Sequence, residues 1–439
     1  MNASHDSFLN SLPAGWKSDR FKDVVSLRNE RTDEASAEED YLELEDLESG
    51  SGRILSRRNT LEVGSAVTLF KKGDVLFGKL RPYLEKYWVS EFDGKCTGEI
   101  LAFQPQRIAS RFLFYCLGSR WFIERCNALA YGAKMPRVSW PTQLSQFNLP
   151  LPPLPEQQRI AAYLDASCAA IDAAVAAKRR QLETLDTLAS SILLNALTIG
   201  LRPEVETRPT GASVLPQIPV AWRFGRLKSV AAIRYGLGQP PAELSSGVAM
   251  IRATDVDAGT IRTDALLRVD PEELPRDRNP YLKGGEIIVV RSGAYTGDSA
   301  IVPEALEGTV AGYDMVVTVN RASPRFIAYC LLSRYVLEGQ LLLLTLRAAQ
   351  PHLNAEELGS VLLALPPTRK EQEAIADYLD VKLAEVKSIV TGIESQIATL
   401  TAYRKSLIHE CVTGQRRVTE ADVRAIHERL DKVAATLTQ

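Results

Sequence analysis

The sequence is short of most features that make a catalyst easy to recognise. Its 439 residues include only four histidines, His5, His352, His409 and His427, and six cysteines, Cys96, Cys116, Cys126, Cys168, Cys330 and Cys411. No CxxC, HExxH or paired His/Cys spacing links them, so a zinc site is not expected. A chain of this length needs no disulfide staples, and the thiols are expected to be reduced and buried, as in a cytoplasmic protein. No GxGxxG opens a helix after a strand, and there is no GxxxxGK[ST] phosphate cradle. Gly236-Leu-Gly238 lacks the third glycine, and no GxSxG nucleophile elbow occurs. No stretch approaches 18 uncharged apolar residues, and the first residues have no basic and apolar leader pattern. Neither a membrane span nor export is therefore expected.

An excess of charge is missing too. Lys and Arg number 52 and Asp and Glu 54, a net −2. That excludes a surface coated in basic groups but not a local basic face, because a field depends on placement. Residues 1–150 hold 20 bases and 20 acids, and nine of those acids (Asp33, Glu34, Glu38, Glu39, Asp40, Glu43, Glu45, Asp46 and Glu48) fall in one base-free run. Setting that run aside leaves 20 bases against 11 acids, so a solvated acidic segment held away from a basic cleft would hide the cleft in the total. Residues 200–365 hold 17 bases and 18 acids with no such block.

What the chain does have is a second copy of itself. Pro13-x-x-Trp16 with Arg20 and Lys22 recurs as Pro219-x-x-Trp222 with Arg226 and Lys228, at an offset of 206. Arg111-Phe-Leu-Phe-Tyr-Cys-Leu117 recurs as Arg325-Phe-Ile-Ala-Tyr-Cys-Leu331 at 214, and Glu156-Gln157 with Tyr163-Leu-Asp165 recurs as Glu371-Gln372 with Tyr378-Leu-Asp380 at 215. A period this long is a domain duplication; solenoid repeats are about 20–50 residues. Each half runs from a mixed region to a proline break, Pro150–Pro155 or Pro366-Pro367, and then into a long helical pattern. Apolar runs after glycine turns, Gly73–Phe77 and Gly285–Val290, read as buried strands, as does Met315–Val319. Ser110–Ile123 and Pro324–Leu337 carry a helical period. The expected fold is α+β: a first globular domain over 1–155, a helix over 156–199, a second domain over 200–367, a helix over 368–416 and an amphipathic tail over 417–439 with Val423, Ile426, Leu430 and Val433.

Both long helices carry a heptad. Steps of four and three visit Leu164, Cys168, Ile171, Val175, Lys178, Leu182, Leu185, Ala189, Ile192 and Ala196 in the first. In the second they visit Leu379, Leu383, Val386, Val390, Ile393, Ile397, Leu400, Arg404, Leu407 and Cys411. The seam predicts that the two helices pair, antiparallel if the halves are related by a twofold. Lys178 and Arg404 interrupt it, and each either fixes the register or snorkels its charge to water.

The remaining polar signals lie in loops. Lys79, Arg81, Tyr83 and Lys86 follow the first strand, and Arg291, Ser292, Tyr295 and Thr296 follow its counterpart. Lys134 and Arg137 sit in Tyr131–Arg137, with Arg347 and His352 as counterparts. Interleaved cations, hydroxyls, aromatics and glycines suit contacts to phosphates and base edges. A solvated surface loop remains the plain alternative at each. A protein-only coiled-coil scaffold would leave these loops idle, and a degenerate nuclease lacks its carboxylate cluster.

Pro13-x-x-Trp16, Phe70–Tyr83 (FKKGDVLFGKLRPY), Met135–Trp140 (MPRVSW) and Leu151–Ala161 (LPPLPEQQRIA), together with the duplication, resemble the specificity subunit of type I restriction–modification enzymes. The resemblance covers residues 8–416. It implies a noncatalytic subunit with two target-recognition domains, each reading half of a bipartite, asymmetric double-stranded DNA site. The paired helices would set the gap and dock two modification subunits. S-adenosylmethionine, ATP and magnesium would belong to modification and restriction subunits, and this chain would bind no cofactor. The second half departs from the pattern with Gln350-Pro-His-Leu353 in place of Met135-Pro-Arg-Val138.

Overall fold

Sheet gives way to helix at each proline break, and this happens twice. The computed structural model describes residues 7–437 except 39, 62, 65, 203, 240, 276–278 and 346–351. The chain divides into two compact units, one of Met1–Arg179 with Glu394–Gln439, the other of Arg180–Ile393. Each unit contains one α+β domain and parts of both long helices.

The first domain is built on an antiparallel sheet in the order Val25–Leu27, Ile100–Pro105, Val75–Gly78, Tyr87–Val89. The second repeats that order with Ala231–Tyr235, Met315–Val319, Ile287–Val289 and Ser299–Ile301. Val75 and Phe77, and likewise Ile287 and Val289, send every second side chain into one core, as the strand period requires. Buried ion pairs recur in register: Arg28 holds Asp74, and Arg234 holds Glu286 at 2.8 Å. A second sheet in each domain ends in a single helical turn, Leu44–Asp46 or Ala253–Asp255. There a carboxylate accepts the backbone N–H three residues back, Asp46 from Glu43 and Asp255 from Arg252.

The helices expected over Ser110–Ile123 and Pro324–Leu337 are broken. The first divides into Ser110–Leu117 and Arg120–Leu129, and the second ends at Leu332. Ser119 and Ser333 cause the breaks, since each hydroxyl donates back into the preceding turn, to Cys116 and Cys330. A Cβ at Gly118 would lie 2.3 Å from Tyr87, so only glycine fits that corner.

The long helices span Leu154–Thr198 and Arg369–Val412. Each begins clamped to its own domain. Gln157 accepts the Ala109 N–H at 2.7 Å and donates to Pro152, and Gln372 does the same with Ser323 and Pro366. Asp165 receives Arg111 and the Tyr115 hydroxyl, and Asp380 receives Arg325 and the Tyr329 hydroxyl. The duplicated motifs are therefore clamp residues. Each helix then ends on a glycine in the left-handed region, Gly200 at φ +90° against Trp222 and Gly414 at φ +77° against Pro13 and Trp16.

In the first unit Asp172 meets Arg404 at 3.1 Å and Arg159 donates to the Val418 carbonyl at 2.8 Å, so the segments run antiparallel. Leu164, Cys168 and Ile171 pack with Leu407 and Cys411, flanked by Val175 and Leu400. In the second unit Ala196 and Leu379 share the core, with Ile192 and Leu383 packed against it. Along the rest of the seam Leu182, Leu185, Val386, Val390 and Ile397 are half-buried and Ile393 is buried. Arg404 does not snorkel. Its side chain is shut in and donates to the Gly50 carbonyl at 3.0 Å besides pairing with Asp172. Contrary to expectation, an 18-residue stretch of the first long helix reaches a mean hydropathy of 1.5, apolar enough to cross a membrane by composition. It is an alanine-rich helix with 44% of that stretch buried in protein.

The tail forms a helix over Glu420–Leu437. Thr419 and Asp422 cap it, Val418 enters the first core, and Val423 and Ile426 pack on that core.

Candidate nucleic-acid interface

The acidic run is solvated only in part. Asp46 is fully buried and receives Ser56 and Arg58; Arg58 also pairs with Glu43 at 2.8 Å, and Glu48 pairs with Arg53 at 2.7 Å. Arg53 and Arg58 thus engage the last acids of the run inside one folded loop, while Asp33, Glu34 and Glu38 stay exposed.

Structure instead brings the two loop signals together. In the first domain Val138 donates to the Lys79 carbonyl at 3.0 Å, Arg81 donates to the Pro136 carbonyl at 2.6 Å, and Leu80 bridges Arg137. The same joint recurs in the second domain, where Leu353 donates to the Arg291 carbonyl at 2.8 Å and Ser292 bridges His352. Lys79 with Arg137, and Arg291 with His352, therefore meet at the end of a central strand. Tyr131 and Arg137 close a hairpin through two 3.0 Å backbone bonds, and its tip exposes Lys134 and Met135. Arg137 lies 4.0 Å from Glu99.

In the second domain the Arg291 guanidinium lies between two rings, 4.6 Å from the centre of Tyr235 and 4.2 Å from that of Tyr313. Its Nη2 sits 2.9 Å from His352 Nε2. The Arg291 backbone N–H donates to Asp314 Oδ1 at 3.3 Å. Burial pushes the Asp314 carboxyl up to about 6, and its second oxygen has no partner among the described residues. Tyr235, Tyr313 and Tyr295 nonetheless keep 41–50% of their surface in solvent. Exposed aromatics gathered around a held cation form a surface suited to stacking and polar contact.

Two of the expected contacts are bonded within the domain. Lys86 donates to the Leu47 carbonyl inside the domain, and Thr296 is buried with its hydroxyl on the Gly293 carbonyl at 2.7 Å. Both side chains hold turns. Tyr83 is exposed but lines a groove with Arg120, Lys405 and His409, apart from the joint. Arg347 lies outside the described residues. The sequence did not single out Tyr235 and Tyr313, whose rings lie under Arg291. The legible signal was a polar or aromatic residue flanking a short apolar run, as in Arg234-Tyr-Gly and Gly312-Tyr-Asp. Among the described residues no cluster of His, Cys, Asp and Glu could hold a metal.

Residues 13–184 and 219–398 each match the family model for the type I restriction modification DNA specificity domain. This chain belongs to that family. The match falls once on each copy of the duplication. Among curated relatives it is similar to the type I restriction enzyme EcoBI specificity subunit of Escherichia coli, 24% identical over 80% of both chains. It also resembles the MjaVIII specificity subunit of Methanocaldococcus jannaschii, 23% identical over 62% of both. A solved chain from a study of type I restriction–modification assembly and conformational transition shares the fold with a TM-score of 0.72, at 19% identity, covering 91% of this chain and 98% of that one. The HsdS subunit of Thermoanaerobacter tengcongensis follows at 0.50 and 18%, covering 92% and 98%. As a specificity subunit the chain recognises DNA and is noncatalytic.

Proposed function

We propose that each domain reads one half of a bipartite, asymmetric DNA site, and that the long helices fix the gap between half-sites and dock two modification subunits. Those subunits bring S-adenosylmethionine; restriction subunits, with ATP and magnesium, join where present. This chain contributes recognition and binds no cofactor of its own. One observation carries the reading: the same strand-end joint is built twice, with different side chains on it. Identical scaffolds carrying different polar groups suit two different half-sites.

Mapping methylated bases in DNA exposed to the assembled modification complex tests it. The expected motif has two unlike halves around a nonspecific gap. A palindrome with like halves would overturn the reading. Removing seven residues from both long helices is expected to shorten the gap and leave the half-sites unchanged; an unaltered gap would remove the ruler.

A further inference from the structure

The strand registers align the two domains residue by residue. Val75 opposite Phe103 matches Ile287 opposite Val317, and Leu27 opposite Phe103 matches Ile233 opposite Val317. Carrying the registers outward aligns four further backbone positions of the two domains, and Lys79, Glu99 and Arg137 meet in the first as Arg291, its two tyrosines and His352 do in the second. The four positions hold Asn29, Lys79, Glu99 and Arg137 in the first domain, and Tyr235, Arg291, Tyr313 and His352 in the second. The clamp residues that surround this frame keep their identities, Gln157 with Gln372 and Asp165 with Asp380. All four corner residues differ. A phosphate is the same on every DNA and gives no reason to vary its ligand, whereas bases differ between half-sites.

From this we infer that the corner reads bases, and that Arg291 reads a guanine in the half-site of the second domain. The inference rests on the proposed DNA-reading function. The guanidinium lies over two tyrosine rings, and His352 takes one Nη2 bond. Nε is enclosed with no partner among the described residues, so recognition falls to the two terminal nitrogens. A planar fork held in this way matches the O6 and N7 acceptors on the major-groove edge of guanine.

The test uses the assembled modification complex with Arg291→Gln and with Arg291→Lys, which keeps the charge but not the fork. Motifs are mapped by methylation, and affinity is measured against salt. In both variants one guanine of a single half-site is expected to become degenerate, its discrimination falling about tenfold or more, with the other half-site and the gap intact. The salt slope is expected to stay unchanged in the lysine variant. An unaltered motif would overturn the assignment. So would an Arg291→Gln complex that weakens equally on all sequences with the slope reduced by about one, the mark of a phosphate contact. If the unsubstituted complex marks no bipartite motif, the proposed function fails instead. If the glutamine variant does not assemble, the lysine variant alone decides by the same motif.

Discussion

The two units solve one structural problem with the same parts and finish it differently. In the second, the buried Trp222 donates its indole N–H to Glu371 at 3.1 Å. In the first, the repeat-equivalent Trp16 has no acceptor among the described residues, and Glu156 lies 3.2 Å from Arg417 of the tail. Tyr163 lies under Arg416 and is buried, while its counterpart Tyr378 is exposed. The difference shows that the helix ends tolerate a change of hydrogen-bond partner provided the packing of glycine on tryptophan is kept. Backbone approach is the strict requirement there, and side-chain pairing is the adjustable one.

The largest effect is expected where that packing is broken. A Cβ at Gly414 would sit 2.5 Å from Pro13, against 3.1 Å from Trp222 at Gly200, and both glycines have positive φ. Gly414→Ala should cost about 2–4 kcal/mol and Gly200→Ala about 1–2, read as urea unfolding of each variant. Equal losses would mean that the two joints are equally tight.

Next comes the buried seam cation. Arg404→Leu leaves Asp172 without its partner and the Gly50 carbonyl with the Tyr87 hydroxyl alone, and should cost about 3 kcal/mol, most of it recovered by adding Asp172→Leu. A double variant no better than the single one would show that Arg404 acts through other contacts.

Acidity provides a contrast between the domains. Asp314 is raised from 3.8 to about 6, so the folded state binds its proton more tightly than the unfolded chain does. Its buried charge therefore penalises folding at pH 7, and the penalty is relieved as pH falls through 6. Between pH 7 and pH 4.5 this group should add roughly 1–2 kcal/mol of stability. In Asp314→Asn that contribution should vanish from the difference in urea midpoint. Ile100, at the aligned position of the first domain, does not titrate, so Ile100→Val should leave the pH dependence as it is.

The smallest effect should come from Arg417→Ala. Releasing Glu156 lets it accept from Trp16, for a net change under about 1 kcal/mol, visible chiefly as altered tryptophan emission. Unchanged emission would mean that Glu156 does not turn.

Much of this architecture was legible beforehand because repetition marks what is structurally indispensable. The Gln157/Gln372 and Asp165/Asp380 clamps stood out as matching letters before their partners were known. The heptad also placed both helices to within a few residues. The surface was harder to read. Lys86 and Thr296 have the composition of contacts, but a lysine can be spent on a carbonyl and a threonine on a turn, and only tertiary placement distinguishes these. The acidic run was legible only in part for the same reason, since Arg53 and Arg58, which pair with its last acids, lie just beyond its end. Tyr235 and Tyr313 are far apart in sequence, and their approach to Arg291 depends on strand register.

The matched helix ends have an evolutionary consequence. A glycine-ended helix and a proline-tryptophan seat occur together in each copy, so a gene encoding only the first 200 residues would already specify both sides of the joint. Duplication then needs no new interface, and exchange of one reading domain for another by recombination leaves the flanking joints complementary. New target specificities can thus arise in a single step without the helices having to be refitted.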